Sequence, residues 1–339
     1  MPQISLQPLL PVGWSDRLQA LFSAMLDHGL VPARVVGVER GWCRVATPTG
    51  ERMLAVSELA VGDWVALDGN TVHETLPRWS ALARLGPDGR HQVLAANVDV
   101  VLIAAPADRL SSARVEREVV IAWESSARPV VVLTKLDLAA PGAVDELASR
   151  LVTVDVIGTS AVNGDGIEEI RAMLIHPVTA ALLGPSGAGK STLINALLGE
   201  DRLAVGVVRE RDQRGRHTTT SRRLVPLPSG GSLIDMPGLR SLGTDASSDA
   251  VAAAFADIDE LAAACRFADC SHGVEPDCAV TAAVANGDLD PARFASFSKV
   301  MREADFERRR TEPLARKEAT RIWKQRTKEQ RRIYRERER

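Results

Sequence analysis

The chain of 339 residues contains no apolar run approaching the ~18 residues of a membrane-spanning helix, which argues against a helical membrane protein. Its first fourteen residues, Met1 to Trp14, hold neither Lys nor Arg. The basic start of a signal peptide is therefore missing, and a cytoplasmic location away from membranes is the expectation. Cysteine is scarce, with four residues in all. Cys43 stands alone, whereas Cys265, Cys270 and Cys278 cluster around His272. Without a secretory signal, such clustering points to a metal before it points to disulfides.

What is present fits a soluble protein of two or three domains, 45% hydrophobic and 25% charged. The net charge of −2 is unevenly spread. Residues 302–339 carry 15 Lys/Arg against 8 Asp/Glu, leaving 27 against 36 in the rest. An acidic body with a basic tail suggests an anionic partner for the tail, with nucleic acid the leading candidate.

The strongest motif is Gly184-Pro185-Ser186-Gly187-Ala188-Gly189-Lys190-Ser191, followed by Thr192. It matches G-x-x-x-x-G-K-[ST], between an apolar strand-like run at 178–183 and a helix-like run at 191–198. Successive N–H groups and the helix N-terminus supply positive potential for phosphate. Lys190 is expected to reach the β- and γ-phosphates, and Ser191 to ligate Mg²⁺.

Ahead of this loop, residues 15–28 have a helical apolar period with Ser15 as a possible N-cap. Five short strand-like runs follow at 34–39, 42–47, 52–56, 63–67 and 71–76, broken by glycine-bearing turns. This suggests a small OB-like β-barrel over 33–80, after an N-terminal helix or arm at 1–32. The segment 33–78 has no Lys, and its aromatics are Trp42 and Trp64, which are expected to pack rather than to stack on bases. From residue 93 the pattern turns α/β, with strands at 98–104, 129–134 and 153–157 and helices at 111–126 and 143–151. That alternation predicts a parallel sheet covered on both faces.

The strand at 129–134 ends in Thr134-Lys135-Leu136-Asp137, close to the [NT]-K-x-D element with which GTPases read guanine. Asp137 would accept from guanine N1–H and the 2-amino group, and the Lys135 stem would cover the base. Adenine offers an acceptor at N1, which an ionised Asp repels. After the next strand, Ser160-Ala161 can present the Ala161 N–H to guanine O6. Beyond the phosphate loop, the polar segment 209–216 leads to His217-Thr218-Thr219-Thr220, where a Thr can ligate Mg²⁺ and sense the γ-phosphate. Strands at 222–227 and 232–234 follow. The second ends in Asp235-Met236-Pro237-Gly238, where Asp235 can hold Mg²⁺ and the Gly238 N–H can meet the γ-phosphate. The base-reading elements precede the phosphate elements, the reverse of ordinary GTPases. A circular permutation accounts for the order, because the termini of α/β domains lie at the surface, often close together.

A helix is expected over 249–264. Cys265, Cys270, His272 and Cys278 then follow with spacing C-x4-C-x-H-x5-C, suited to closing a structural tetrahedral Zn²⁺ site. A second helix is expected over 290–310, broken by Thr311-Glu312-Pro313 before the basic tail.

Barrel, permuted GTPase and Cys₃His cluster together resemble the bacterial small-ribosomal-subunit-dependent GTPase A family over roughly 30–330. The resemblance implies three parts: an all-β barrel, a central permuted α/β GTPase domain at 93–245, and a mainly α zinc-binding domain at 246–310. The basic tail spans 311–339. It further implies a cytoplasmic GTP hydrolase, a phosphoric anhydride hydrolase, that takes GTP and GDP with Mg²⁺ and is expected as a monomer. Such a protein binds the maturing small subunit and its rRNA late in assembly, is stimulated by it, and leaves on hydrolysis. Gly238 is followed by Leu239 where many GTPases have a water-orienting Gln. The resemblance assigns that task to His217, beside Lys190 and Thr219. The competing expectation is a GTP-gated rRNA-binding placeholder whose hydrolysis is incidental.

Overall fold

The computed structural model describes residues 5–39, 41–56, 58–85, 91–199, 222–236, 246–273 and 275–311. His217, Thr218, Thr219, Gly238 and the tail beyond 311 lie outside the described residues.

The chain opens with a 3-10 helix, Gln7–Val12, and then α1, Asp16–Asp27. Ser15 has the extended backbone of an N-cap, but its side chain makes no capping hydrogen bond. Five strands come next: β1 (Val31–Glu39), β2 (Trp42–Thr47), β3 (Gly50–Leu54), β4 (Trp64–Asp68) and β5 (Thr71–Thr75). They pair antiparallel in the order β3-β2-β1-β4-β5 around a small core of Ala33, Val35, Cys43, Val45, Leu54, Val65 and Leu67. Arg52 of β3 reaches across to the Gly69 carbonyl in the β4–β5 turn at 3.3 Å. Trp64 is fully buried against Trp14 and Phe22, as packing requires, whereas Trp42 at the start of β2 is half exposed.

A hairpin that the sequence pattern did not suggest, β6 (Ala81–Leu85) with β7 (His91–Ala96), follows. The α/β part comprises β8 (Val100–Pro106), α2 (Ser112–Glu124), β9 (Arg128–Thr134), α3 (Ala143–Arg150), β10 (Asp155–Thr159), α4 (Ile167–Met173), β11 (Thr179–Leu183), α5 (Lys190–Leu198), β12 (Arg222–Pro226) and β13 (Ser232–Asp235). Strands β10-β9-β8-β11-β13 are parallel, and β12 runs antiparallel on β13. Alternate residues of β8 point to opposite layers. Val101, Ile103 and Ala105 join a core with α2 and α3, while Val100, Leu102 and Ala104 join one with α4 and α5. This is the two-sided burial expected of a parallel sheet.

The five N-terminal strands and the parallel sheet are not separate, as the sequence had suggested, but one eleven-stranded sheet. β1 is the seam. Its first half pairs with β4, and Gly37 and Val38 pair with Arg223 and Arg222 of β12. A register shift between Val35 and Gly37 against β2 redirects the strand between its two neighbours.

At the other end lie α6 (Ser248–Ala254), α7 (Ala256–Ala262), α8 (Ala279–Asn286) and α9 (Pro291–Thr311). The single helix expected over 249–264 is thus two. It breaks at Phe255 (φ −123°, ψ 44°), whose buried ring packs edge-on to Phe297 at 5.5 Å and under the Arg293 guanidinium at 4.8 Å. Side-chain burial overrides the helical propensity of the surrounding alanines there. Arg293 also bonds both Asp257 oxygens at 2.6 Å and buried Glu116 of α2 at 3.2 Å. Arg150 joins the same Glu116 at 2.9 Å, so α2, α3, α7 and α9 share one ionic cluster.

The seam is held by Arg34, fully buried in β1. It donates to the carbonyls of Val12, Gly62 and Asn97 and to the Thr179 hydroxyl, and lies over the Trp64 ring. Burial lowers its pKa to about 10, which still leaves it charged at neutral pH. Arg34→Ala is expected to cost about 2–4 kcal/mol by stranding these acceptors. Arg34→Lys should recover little, because one ammonium cannot span them. Urea unfolding reads both, and an unchanged midpoint for Arg34→Ala would refute the assignment.

Candidate nucleotide-binding site and metal centre

β11 is buried along its length and delivers the chain into the phosphate loop at the carboxyl edge of the sheet. Gly184 (φ +131°) passes so near the Ala104 backbone of β8 that a side chain there would collide with its carbonyl. Gly189, in the left-handed region, caps the start of α5. Lys190 turns its ammonium back into the curl of the loop and donates to the Gly184 carbonyl at 2.7 Å and the Pro185 carbonyl at 2.9 Å. A buried cation is thereby fixed where the loop amides and the α5 N-terminus converge, an arrangement suited to phosphate. Ser186 and Gly187 form the exposed crest, and Ser191 and Thr192 are half buried in the first turn of α5. Asp235 ends β13 in register with Leu182 of β11, which brings it to the same edge as the phosphate loop.

The second half of the site comes from β9 and β10. Asp137, exposed in the short 3-10 helix Leu136–Leu138, accepts a hydrogen bond from the Ser160 hydroxyl at 2.7 Å. Ser160 is itself fully buried, and its backbone pairs with Asp165 and Gly164. The following turn begins at Ala161. Two elements 23 residues apart in sequence therefore meet with one free face of the Asp137 carboxylate turned to solvent. The buried Thr134 hydroxyl donates to the Ala188 carbonyl at 2.7 Å, tying the end of β9 to the phosphate loop.

Sequence reasoning passed over the segment between β8 and α2. Asp108 pairs with the Lys135 ammonium at 2.8 Å, and this bond holds the Asp108 carboxyl below its usual range. Arg109 donates to the Ser186 carbonyl at 2.8 Å. The signal was available, since residues just beyond a buried strand at the carboxyl edge of a parallel sheet are where ligands bind. Glu118 on α2 was also passed over. Burial raises its carboxyl to about 7, against the opposing pull of Arg114 and Lys190.

The metal candidates assemble as well. The donor atoms of Cys265, Cys270, His272 and Cys278 all lie within 4.8 Å of one another. The Cys265 and Cys278 sulfurs are 3.9 Å apart, and His272 Nδ1 is 3.6 and 3.5 Å from them. These are close to the edges of a tetrahedron whose ion–sulfur bonds are about 2.3 Å and ion–nitrogen bonds about 2.0 Å. Cys278 caps α8, and its sulfur accepts from the Thr281 N–H at 3.5 Å. Glu275 braces the knuckle by accepting from the Ser271 hydroxyl and from the Gly273 and Ser271 N–H groups, contacts that hold its carboxyl down at about 2. Four donors leave no position open, so the set suits a structural ion.

The matching family model, described as RsgA GTPase, covers residues 75–245. Curated relatives named small ribosomal subunit biogenesis GTPase RsgA include that of Streptomyces avermitilis, 43% identical over 94% of this chain and 92% of its own length. That of Opitutus terrae is 42% identical over 93% of this chain and 95% of its own length. Among solved structures, YjeQ from Thermotoga maritima superposes with a TM-score of 0.61 at 24% identity, covering 81% of this chain and 98% of the other. YloQ, described as a circularly permuted GTPase, does so at 0.59 and 22% identity, covering 82% and 96%. Those two likenesses speak to the fold, and the permuted order of base-side and phosphate elements agrees with them. With a matching family model and relatives that match nearly end to end, the chain belongs to the RsgA GTPase family and is a GTP-hydrolysing enzyme.

Proposed function

We propose that this enzyme hydrolyses GTP on the small ribosomal subunit during its biogenesis, binding rRNA and leaving when GTP is spent. The observation that carries the nucleotide half is the pairing of Asp137 with Ser160 at the same sheet edge as Lys190. The names of the curated relatives support the ribosomal half. In this reading Asp137 and the Ala161 N–H select guanine, and the Lys135 stem covers it. The amides of 184–189 and Lys190 hold the phosphates. Ser191, Asp235 and Thr218 hold Mg²⁺, whose charge offsets that of the phosphate oxygens. Thr219 and the Gly238 N–H meet the γ-phosphate, and His217 orients water. Zn²⁺ fills the Cys₃His set, because thiolates and imidazole at these spacings suit it best. The five N-terminal strands act as an OB-like barrel, their order β3-β2-β1-β4-β5 and enclosed small core favouring that reading. Barrel, zinc module and basic tail provide the rRNA contacts, and the protein works as a cytoplasmic monomer.

Steady-state GTP turnover with and without purified small subunits tests the whole reading. A rise of at least tenfold, about 1.4 kcal/mol of barrier, is expected for the wild type and not for His217→Ala, with ATP inert. Tight GTP-dependent binding without a rise would favour the placeholder, which Leu239 in place of a Gln recommends.

Asp137→Asn probes base selection. An amide can no longer accept from both N1–H and the 2-amino group, so GTP affinity should fall at least tenfold while xanthosine triphosphate gains. Equal GTP affinity in a fluorescent-nucleotide titration would rule out the role.

Elemental analysis should find one zinc per chain. Cys270→Ser should lose it and melt earlier, with the hydrogen-exchange losses concentrated in 262–300 rather than around the phosphate loop.

A further inference from the structure

The short 3-10 helix Ala107–Arg109, directly after β8, touches the nucleotide site twice. Asp108 holds the Lys135 ammonium at 2.8 Å, and Arg109 holds the Ser186 carbonyl at 2.8 Å. Thr134, next to Lys135, holds the Ala188 carbonyl at 2.7 Å. The contacts therefore close a ring that grips the phosphate loop on both sides of Gly187. Gly187 (φ +74°) lies under the Arg109 guanidinium, where a side chain would meet it.

A trans peptide carries its C=O and N–H on opposite sides. Tying the Ser186 carbonyl to Arg109 turns the Gly187 N–H the other way, and tying the Ala188 carbonyl to Thr134 does the same for the Gly189 N–H. Lys190 holds the Gly184 and Pro185 carbonyls from within the curl. Loop amides held in place before nucleotide arrives lose less freedom when it binds. Arg109 is exposed and its fork is planar, so it restrains the crest without being part of the core.

We propose that Asp108 and Arg109 are positioning residues for the nucleotide: Arg109 clamps the crest of the phosphate loop and Asp108 fixes the lysine that covers the base. The proposal rests on the reading of 184–191 as the phosphate site. It predicts a loss of affinity shared by GTP and GDP, because the clamp orients amides rather than meeting the γ-phosphate.

The test is a titration of full-length protein with fluorescent GTP and GDP, together with kcat and KM for GTP. Arg109→Ala should weaken both nucleotides about tenfold and raise KM in parallel, with kcat moving less than threefold. Arg109→Lys, which keeps one donor for the Ser186 carbonyl, should recover to within threefold of wild type. Asp108→Asn should weaken both nucleotides about threefold. Unchanged affinity in Arg109→Ala overturns the clamp, and so does a fall in kcat at unchanged affinity, which would mark a group acting on the transition state. Lys190→Ala in the same titration tests the phosphate site itself. Loss there without loss in Arg109→Ala overturns the clamp alone.

Discussion

A single buried guanidinium decides how the two halves of the sheet meet. Arg34 sits in β1 where that strand passes from β4 to β12, and its donors end on the N-terminal 3-10 helix, the Gly62 turn, the Asn97 corner and Thr179 at the start of β11. Burying a cation is costly unless its donors are met, and here they are met mostly by backbone carbonyls. The surroundings are prepared for it. Asp99 lies near enough to favour the charge while accepting from the Thr179 N–H, and Asp63 is held by Arg78 and the Ala60 N–H. An apolar residue at 34 would leave several segments free to slide against one another. The arginine permits one arrangement, and that arrangement sets where β11 begins and hence where the phosphate loop emerges.

The other polar hub, around Glu116 and Arg293, does for the C-terminal helices what Arg34 does for the N-terminal strands. Glu116 lies on α2, the helix that also carries Glu118, whose field is felt at Lys190. Arg117, between them, pairs with Glu303 of α9 at 3.0 Å. One helix thus presents successive charged residues to the C-terminal helices and to Lys190. Its two neighbourhoods are joined by rigid structure rather than by a linker.

Much of this was legible beforehand. The phosphate loop, the Asp137 and Ser160 elements and the Cys₃His cluster are local patterns in which backbone chemistry or ligand spacing dictates residue type, and the structure brings each set together. The strand at 42–47 and the start of the one at 71 followed from turn residues. Long-range packing was not legible. Nothing local reveals that one edge of β1 serves both β4 and β12, that Phe255 leaves its helix to reach Phe297, or that the Thr134 hydroxyl reaches the Ala188 carbonyl. The β6–β7 hairpin was hidden because its strands lack a clean alternation. Asp108 and Arg109 were overlooked because their partners, Lys135 and Ser186, lie 27 and 77 residues away.

The seam between β1 and β12 also bears on how the protein can be divided. By sequence the N-terminal strands look like a detachable module placed before a GTPase. In the fold they are the neighbour that covers β12, which among the described residues otherwise pairs only with β13. Cutting the chain ahead of β6 would strip that cover, leave a row of unpaired N–H and C=O groups, and empty the pocket that Arg34 fills. The remaining fragment would expose a sticky sheet edge of the kind that natural sheets shield against aggregation. The five N-terminal strands are thus also the hem of the sheet that carries residues 184–191, and the two must be handled as one piece.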